Sequence, residues 1–307
     1  MLAALLIFLS TYLVLAIGRL PGFRVDRTGS AIIGATLMVA FNVLTRQEAT
    51  AAINWDTILL LFGMRIVVAN LRLSGFFALV TDWVVEHEHR PLVLLASIVV
   101  VSGVFSAFFV NDTMCLALTP LVLDITTQLR RKPVPYLLAI AMASNIGSVA
   151  TITGNPQNML IGSFSGIQYR DFAAVLAPVG LFGLVAVTAI IALIYRREFL
   201  TTHVKVDAPA PPVRVHRMLA WKSVLAASAM IALFFAGWPV PKVALATGAL
   251  LLVTRRVKPQ RAYAEIDWSL LVLFIGLFIV VAGAEKTPFI GRQCSPSHLA
   301  FTWSIQR

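Results

Sequence analysis

The fold is decided by Thr151-Ile152-Thr153-Gly154-Asn155-Pro156-Gln157-Asn158, a polar stretch that separates two apolar runs, 136–150 and 157–166. Pro156 has no backbone N–H and Gly154 tolerates a positive φ, so a helix opens here and leaves backbone groups unpaired. Half-helix ends beside hydroxyl and amide side chains suit anions at their N-termini and Na⁺ at their carbonyls. The pattern predicts a broken helix over 136–166. The alternative is a kinked structural helix whose Ser and Thr side chains bond to neighbouring spans.

A second polar stretch, Asn111-Asp112-Thr113, lies between two apolar arms, 91–110 and 114–125. The spacing predicts a re-entrant hairpin over 92–127 with its tip at these three residues. A carboxylate near membrane depth costs about 2.5–3.5 kcal/mol on insertion scales and normally marks an ion or proton path. The alternative is a pair of ordinary spans joined by an interfacial turn. Arg65 also lies within an apolar span, where it either contacts an anion or serves as a helix-bundle partner.

The composition extends this prediction to the whole chain. Of 307 residues, 59% are hydrophobic and 13% are charged, and the mean hydropathy is +0.85. One soluble core cannot bury this excess, and the apolar runs approach the roughly 20 residues that a spanning helix needs. We therefore predict an all-α, polytopic membrane protein and exclude a soluble enzyme, a disordered chain, a collagen or a disulfide scaffold. With no Walker pattern, neither ATP binding nor enzymatic activity is predicted.

The charge distribution argues against nucleic acid as a partner. The formal net charge is +11, but the Lys and Arg residues lie in short loops between apolar runs, as the positive-inside rule describes. The predicted membrane segments are 2–17, 29–44, 57–73, 92–110, 114–127, 136–150, 157–166, 172–194, 218–237, 240–253 and 268–283.

The end of the chain repeats its beginning. Trp55 aligns with Trp268, Gly63 with Gly276, and the Ile-Val-Val-Ala run from position 66 with the run from position 279, at a constant offset of 213 residues. The charge bias of the loops makes the two copies opposite in topology, which is typical of secondary transporters. The predicted organisation is a first repeat at 1–194, a cytoplasmic linker at 195–217, the start of a second inverted repeat at 218–284 and a polar tail at 285–307.

Four short motifs resemble a known family: Phe108 to Thr113, Leu118-Thr119-Pro120, Ala143 to Gly147, and Thr153 to Asn158. They are similar to the citrate transporter-like domain of the ion transporter superfamily, which includes arsenical pump membrane proteins, sodium–proton antiporters, and citrate and dicarboxylate carriers. The resemblance covers about residues 1–290. It implies two inverted halves, each with a hairpin and a broken helix, with substrate and coupling ions held between the tip and the break.

The function expected is that of an anion permease: a secondary active transporter of a small anion or oxyanion, driven by an H⁺ or Na⁺ gradient. Apart from that ion no cofactor or metal is predicted. The expected partners are a small anionic substrate and the lipid bilayer, with a homodimer as a candidate assembly. The expected location is the inner (plasma) membrane. The candidate substrate- and ion-binding residues are Asn111, Asp112, Thr113, Ser144, Asn145, Thr151, Thr153, Gly154, Asn155, Pro156 and Asn158.

The sequence departs from the family pattern in its second half. The resemblance implies a second hairpin and a second broken helix, whereas here the chain turns polar at Glu285. A truncated, non-transporting membrane protein or an interaction subunit therefore stays open as the alternative function.

Overall fold

The computed structural model describes residues 2–18, 25–80, 90–199, 217–253 and 259–287, which form helices joined by turns and short loops. Most of the predicted linker (200–216) and of the predicted polar tail (288–307) lies outside the described residues. The helices are α1 Leu2–Ile17, α2 Arg27–Ala40, α3 Arg46–Ala51, α4 Trp55–Leu73, α5 Pro91–Phe108, α6 Asn111–Gln128, α7 Pro133–Ser148, α8 Pro156–Ser165, α9 Tyr169–Ile194, α10 Arg196–Phe199, α11 Arg217–Phe235, α12 Val240–Leu252, α13 Pro259–Ala264 and α14 Trp268–Glu285.

The predicted all-α membrane fold is confirmed. Four of the described helices, α5, α9, α11 and α14, are long and apolar enough to cross a membrane. Helices α5, α7 and α8 each begin with a proline. Proline suits this position because the first N–H of a helix has no intrahelical partner to lose.

The structure divides into two compact units. Of the described residues, those within 1–58 and 267–307 form unit 1, and those within 59–266 form unit 2. In unit 1, α2 packs on α14 and α1, and the buried side chains of Ala35, Met38 and Val280 lie at the centre of its core. Unit 2 contains the predicted hairpin and broken helix, so every candidate site residue belongs to it.

Helices α5 and α6 form an antiparallel hairpin. Ile98 and Val122 line one small cavity between the two arms, and so do Ser102 and Leu118. Each of these pairs is equidistant along the chain from Val110, as an antiparallel pairing with its turn at that residue requires. The sequence placed the tip at 111–113, whereas the turn consists of Phe109 and Val110, and Asn111 already begins α6.

The difference has a physical reason. Asn and Asp are favourable in and before the first helical turn, where their side chains interact with free N–H groups and the helix dipole. A polar triplet between apolar arms therefore marks a helix start as well as a loop.

The offset of 213 residues found in the sequence also relates three pairs of helix boundaries. Helices α12, α13 and α14 begin 213 residues after α2, α3 and α4. Asn54 and Asp267, the residues before α4 and α14, each accept a hydrogen bond from the backbone N–H three residues later, at 2.9 and 3.0 Å. Below, α2 and α4 are the second and third helices of repeat 1, and α12 and α14 are those of repeat 2.

Within each unit, the second helix of one repeat packs in parallel with the third helix of the other. In unit 1, Ala31, Gly34 and Met38 of α2 face Gly276, Val280 and Gly283 of α14 in that order. In unit 2, the residues of α12 that face Gly63 and Ile66 of α4 are Ala244 and Gly248. The two repeats therefore exchange packing partners.

Candidate functional site

The turn of the hairpin is strained. Val110 is completely buried and has φ 28° and ψ 114°. A positive φ is unfavourable for a β-branched residue, and such a conformation costs on the order of 1–3 kcal/mol. The surrounding structure holds it in place, because the carbonyl of Val110 accepts hydrogen bonds from the N–H groups of Thr113 and Met114, at 3.1 and 3.2 Å.

The hairpin tip, residues 109–113 with the turn and the first residues of α6, is bonded directly to the broken helix. The backbone N–H of Asn111 donates to the carbonyl of Gly154 at 2.9 Å. Its side-chain Nδ2 donates to Oδ1 of Asn145, on α7, at 2.8 Å. The two stretches singled out in the sequence thus meet, and Asn111 is the residue that joins them.

The break lies between the end of α7 at Ser148 and the start of α8 at Pro156. Two amide side chains close it. Nδ2 of Asn158 donates to the carbonyls of Ser148, Val149 and Thr151 at 3.1, 3.3 and 2.8 Å. Oδ1 of Asn155 caps α8 by accepting from the N–H of Asn158 at 2.7 Å. Protein donors therefore bond to these three carbonyls, which are among those that the sequence offered to a cation.

Two glycines allow the close approaches at this site. A Cβ on Gly154 would lie 2.1 Å from the carbonyl oxygen of Ser148, and a Cβ on Gly147 would lie 2.2 Å from that of Gly103 on α5. These obstacles are backbone atoms, which cannot rotate away. Glycine at 147 and 154 thus lets α7 touch the hairpin and lets the break fold back on α7.

The hydroxyl groups of the break are buried and bonded. Oγ1 of Thr153 lies 2.8 Å from the hydroxyl of Tyr169 on α9 and 3.3 Å from Oγ1 of Thr151. Oγ1 of Thr151 donates to the carbonyl of Ala107 on α5. Sequence reasoning did not identify Tyr169, because a single tyrosine at a helix start carries no pattern.

Arg65 contacts the hairpin. Its side chain is 6% exposed, and one guanidinium nitrogen donates to Oγ1 of Thr113 at 2.7 Å. Of the two interpretations that the sequence left open, this contact fits the helix-bundle partner. It also places a positive charge in the first turn of α6.

Exposure separates the candidate residues into two sets. Asp112 and Asn145 are exposed, and Asn111, Thr113 and Asn155 are half-buried. The carboxylate of Asp112 has no hydrogen bond or ion pair with any residue that the structure describes. The buried members of the set are Ser144, Thr151, Thr153, Gly154, Pro156 and Asn158. The more exposed polar groups among the candidates are therefore mostly at the hairpin tip and on the adjacent face of α7, and the buried ones are mostly in the break.

Comparison with known proteins gives a family match over almost the whole chain. The family described as citrate transporter matches residues 11–294. A 46 kDa membrane protein of Mycobacterium leprae is 29% identical over 302 residues, covering 94% of this chain and 69% of the relative. An uncharacterized transporter of Mycobacterium tuberculosis is 30% identical over 300 residues, covering 92% of this chain and 68% of the relative.

A plant relative matches a shorter part of the chain. The silicon efflux transporter of Oryza sativa subsp. japonica is 35% identical over 164 residues, covering 53% of this chain and 34% of the relative. Together, the named transporters among these relatives and the apolar helices identify a membrane protein of transporter type.

Proposed function

We propose, because the chain belongs to the citrate transporter family, that it moves a small anion or oxyanion across the inner membrane of a bacterial-type cell. The proposed driving force is a gradient of H⁺ or Na⁺, and the proposed mechanism is alternating access. The substrate binds at the hairpin tip and the adjacent face of α7.

The observation that carries this proposal is the bond between the hairpin tip and the broken helix through Asn111. This bond brings two exposed groups near each other: the carboxylate of Asp112 at the start of α6 and the amide of Asn145 near the end of α7. The N-terminus of α6 carries a partial positive charge and has no side-chain cap on Val110. Such an end attracts anions. The guanidinium of Arg65 adds a full positive charge in the same helical turn.

Asp112 is the proposed coupling group. An exposed carboxylate in the first turn of α6 can bind a proton or contribute oxygen ligands to Na⁺. Either event neutralises a negative charge beside the proposed anion site. Binding of the coupling ion and of the substrate would thereby favour each other, which is what cotransport requires.

The test is uptake by proteoliposomes that contain the full chain. Citrate, a dicarboxylate, sulfate, arsenite and silicate are offered under an imposed pH gradient, an imposed Na⁺ gradient or neither. We expect uptake of at least one anion to depend on one of the gradients. Asp112→Asn keeps the shape of the side chain and removes its charge, so uptake should lose its dependence on the gradient.

The matched control is Asp124→Asn. Asp124 is an exposed carboxylate on the same helix, at a distance from the hairpin tip. Its replacement should leave gradient-driven uptake unchanged. Uptake that keeps its gradient dependence in Asp112→Asn would exclude Asp112 as the coupling group, and no uptake of any anion would contradict the proposed function.

A further inference from the structure

Tyr169 is the buried tyrosine beside the helix break, and it lies outside the set of residues that present polar groups to a substrate. Its side chain is 2% exposed at the start of α9. Its hydroxyl reaches Thr153, and its ring lies 5.2 and 5.1 Å from the rings of Phe234 and Phe235 on α11. One side chain therefore contacts both the break in the first repeat and the first helix of the second repeat.

The hydrogen bonds of this cluster have one consistent direction. Each hydroxyl carries a single proton. The carbonyl of Ala107 can only accept, so the proton of Thr151 is used there. Thr153 then donates to Thr151, and Tyr169 donates to Thr153 and also interacts with Thr151. The result is a directed chain from the tyrosine through two threonines to the backbone of the hairpin arm α5.

We infer that Tyr169 is a positioning residue of the transport site: its hydroxyl chain fixes the break against the hairpin, and its ring connects the break to α11. This inference rests on the proposed function, because it assigns a role within that same site. Asn158, Asn155 and Gly154 determine the shape of the break, whereas Tyr169 determines where the break lies relative to α5 and α11. A change in the packing of α11 would thereby reach the residues that support the hairpin tip.

The direction of the chain predicts an asymmetry between two substitutions. Tyr169→Phe removes the first donor, and Thr153 can still donate to Thr151. Thr153→Val removes two hydrogen bonds of the chain, one from Tyr169 and one to Thr151, and leaves Thr151 as the remaining acceptor near the buried hydroxyl of Tyr169. Thr153→Val should therefore lower the Tm more than Tyr169→Phe.

Hydrogen–deuterium exchange of the full chain in detergent tests the positioning without any substrate. In Tyr169→Phe, we expect the amides of residues 149–155 to exchange faster by about threefold or more, because the break loses its connection to α9. Thr153→Ser retains the hydroxyl and should exchange like the wild type. Tyr195→Phe is the control, since Tyr195 lies at the other end of α9. It should leave exchange in the break unchanged.

Transport provides the second measurement, with citrate as the probe. A misplaced break should raise the KM for citrate in Tyr169→Phe and leave the maximal rate nearly unchanged. Wild-type exchange in Tyr169→Phe would overturn the inference. If the wild-type chain does not take up citrate, the proposed substrate fails, and the exchange and Tm measurements still decide the role of Tyr169.

Discussion

The contact between Ala31 and Gly276 in unit 1 is repeated in unit 2 as the contact between Ala244 and Gly63. A Cβ on Gly276 would lie 2.9 Å from the backbone of Ala31, and a Cβ on Gly63 would lie 2.6 Å from that of Ala244. Both alanines are completely buried. Because each contact joins the second helix of one repeat to the third helix of the other, close packing at this point is a property of the repeat.

The two contacts differ two residues further along the third helix. In unit 2, Gly63 is followed by Arg65, which is buried and donates a hydrogen bond to Thr113 at the hairpin tip. In unit 1, Gly276 is followed by Phe278, whose ring lies 6.4 Å from that of Phe274. The close packing is therefore repeated, whereas the buried arginine at position 65 is replaced by Phe278 at the equivalent position of unit 1. The glycine–alanine contacts thus belong to the packing that both units share, whereas the contact of Arg65 with Thr113 belongs to the candidate site alone.

The predicted opposite topology of the two repeats can be tested in an all-or-none experiment. If α2 and α4 cross the membrane as consecutive spans, they run in opposite directions. Helix α14 runs parallel to α2 and should then run opposite to α4. Gln47 of α3 and Gln260 of α13 are both exposed and lie at equivalent positions of the two repeats.

Single cysteines at these two positions should react with a membrane-impermeant maleimide from opposite sides. The background has Cys115 and Cys294 replaced by serine. In intact cells one cysteine should be labelled at once and the other only after the membrane is opened. Labelling of both from the same side would show that the two repeats have the same topology and would contradict the prediction.

The repeated glycine contact predicts a graded loss of stability. Gly63→Ala and Gly276→Ala each force a methyl group against backbone atoms that cannot move aside. Overpacking of this kind costs about 1–3 kcal/mol. Gly63→Ala should lie at the upper end, because its Cβ would be 2.6 Å from the obstacle, compared with 2.9 Å at Gly276. Thermal unfolding in detergent, followed by circular dichroism, measures both.

Gly180→Ala on α9 is the matched control. The nearest atom to its added Cβ is 3.5 Å away, which is ordinary van der Waals contact. Because alanine favours a helix over glycine by about 1 kcal/mol, this variant should be as stable as the wild type or more stable. An equal loss of stability in all three variants would mean that helical glycine itself, and not the close contact, is responsible.

Much of this fold could be predicted from the sequence. Apolar runs bounded by proline and glycine located the helices, and the offset of 213 residues also separates three pairs of helix starts. The exchange of partners between repeats could not be predicted, because similarity between two segments does not say which helix each one packs on. For the same reason, Asn111 and Asn145 were both candidates, but their hydrogen bond was not foreseen. Tyr169 had no pattern at all, since its role depends on two threonines and two phenylalanines brought together by folding.

The smallest expected effect on stability concerns surface ion pairs, of which each unit has an equivalent one. In unit 1, Nζ of Lys286 lies 2.6 Å from Oε1 of Glu48, joining the end of α14 to α3. In unit 2, Arg72 at the end of α4 lies 2.6 Å from Glu265, just after α13. Each pair thus joins the third helix of one repeat to the region of the short helix of the other. Glu48 has an additional partner, since it forms a capping box with Thr45.

The hydrogen bond from Lys286, together with those from Thr45, lowers the pKa of Glu48 to about 2. Because this pKa lies below the unfolded value of 4.5, the ionised carboxylate stabilises unit 1 above pH 4.5, and the stabilisation is lost as the pH falls towards 2.

The Tm of Glu48→Gln should therefore lie slightly below that of the wild type at pH 6, and the difference should vanish near pH 2. Lys286→Gln should weaken this pH dependence, because it removes the largest cause of the shift. The effect should also shrink in high salt, since the pair is exposed and screened. A difference in Tm that stays constant from pH 6 to pH 2 would contradict the lowered pKa and leave Glu48 with its capping role alone.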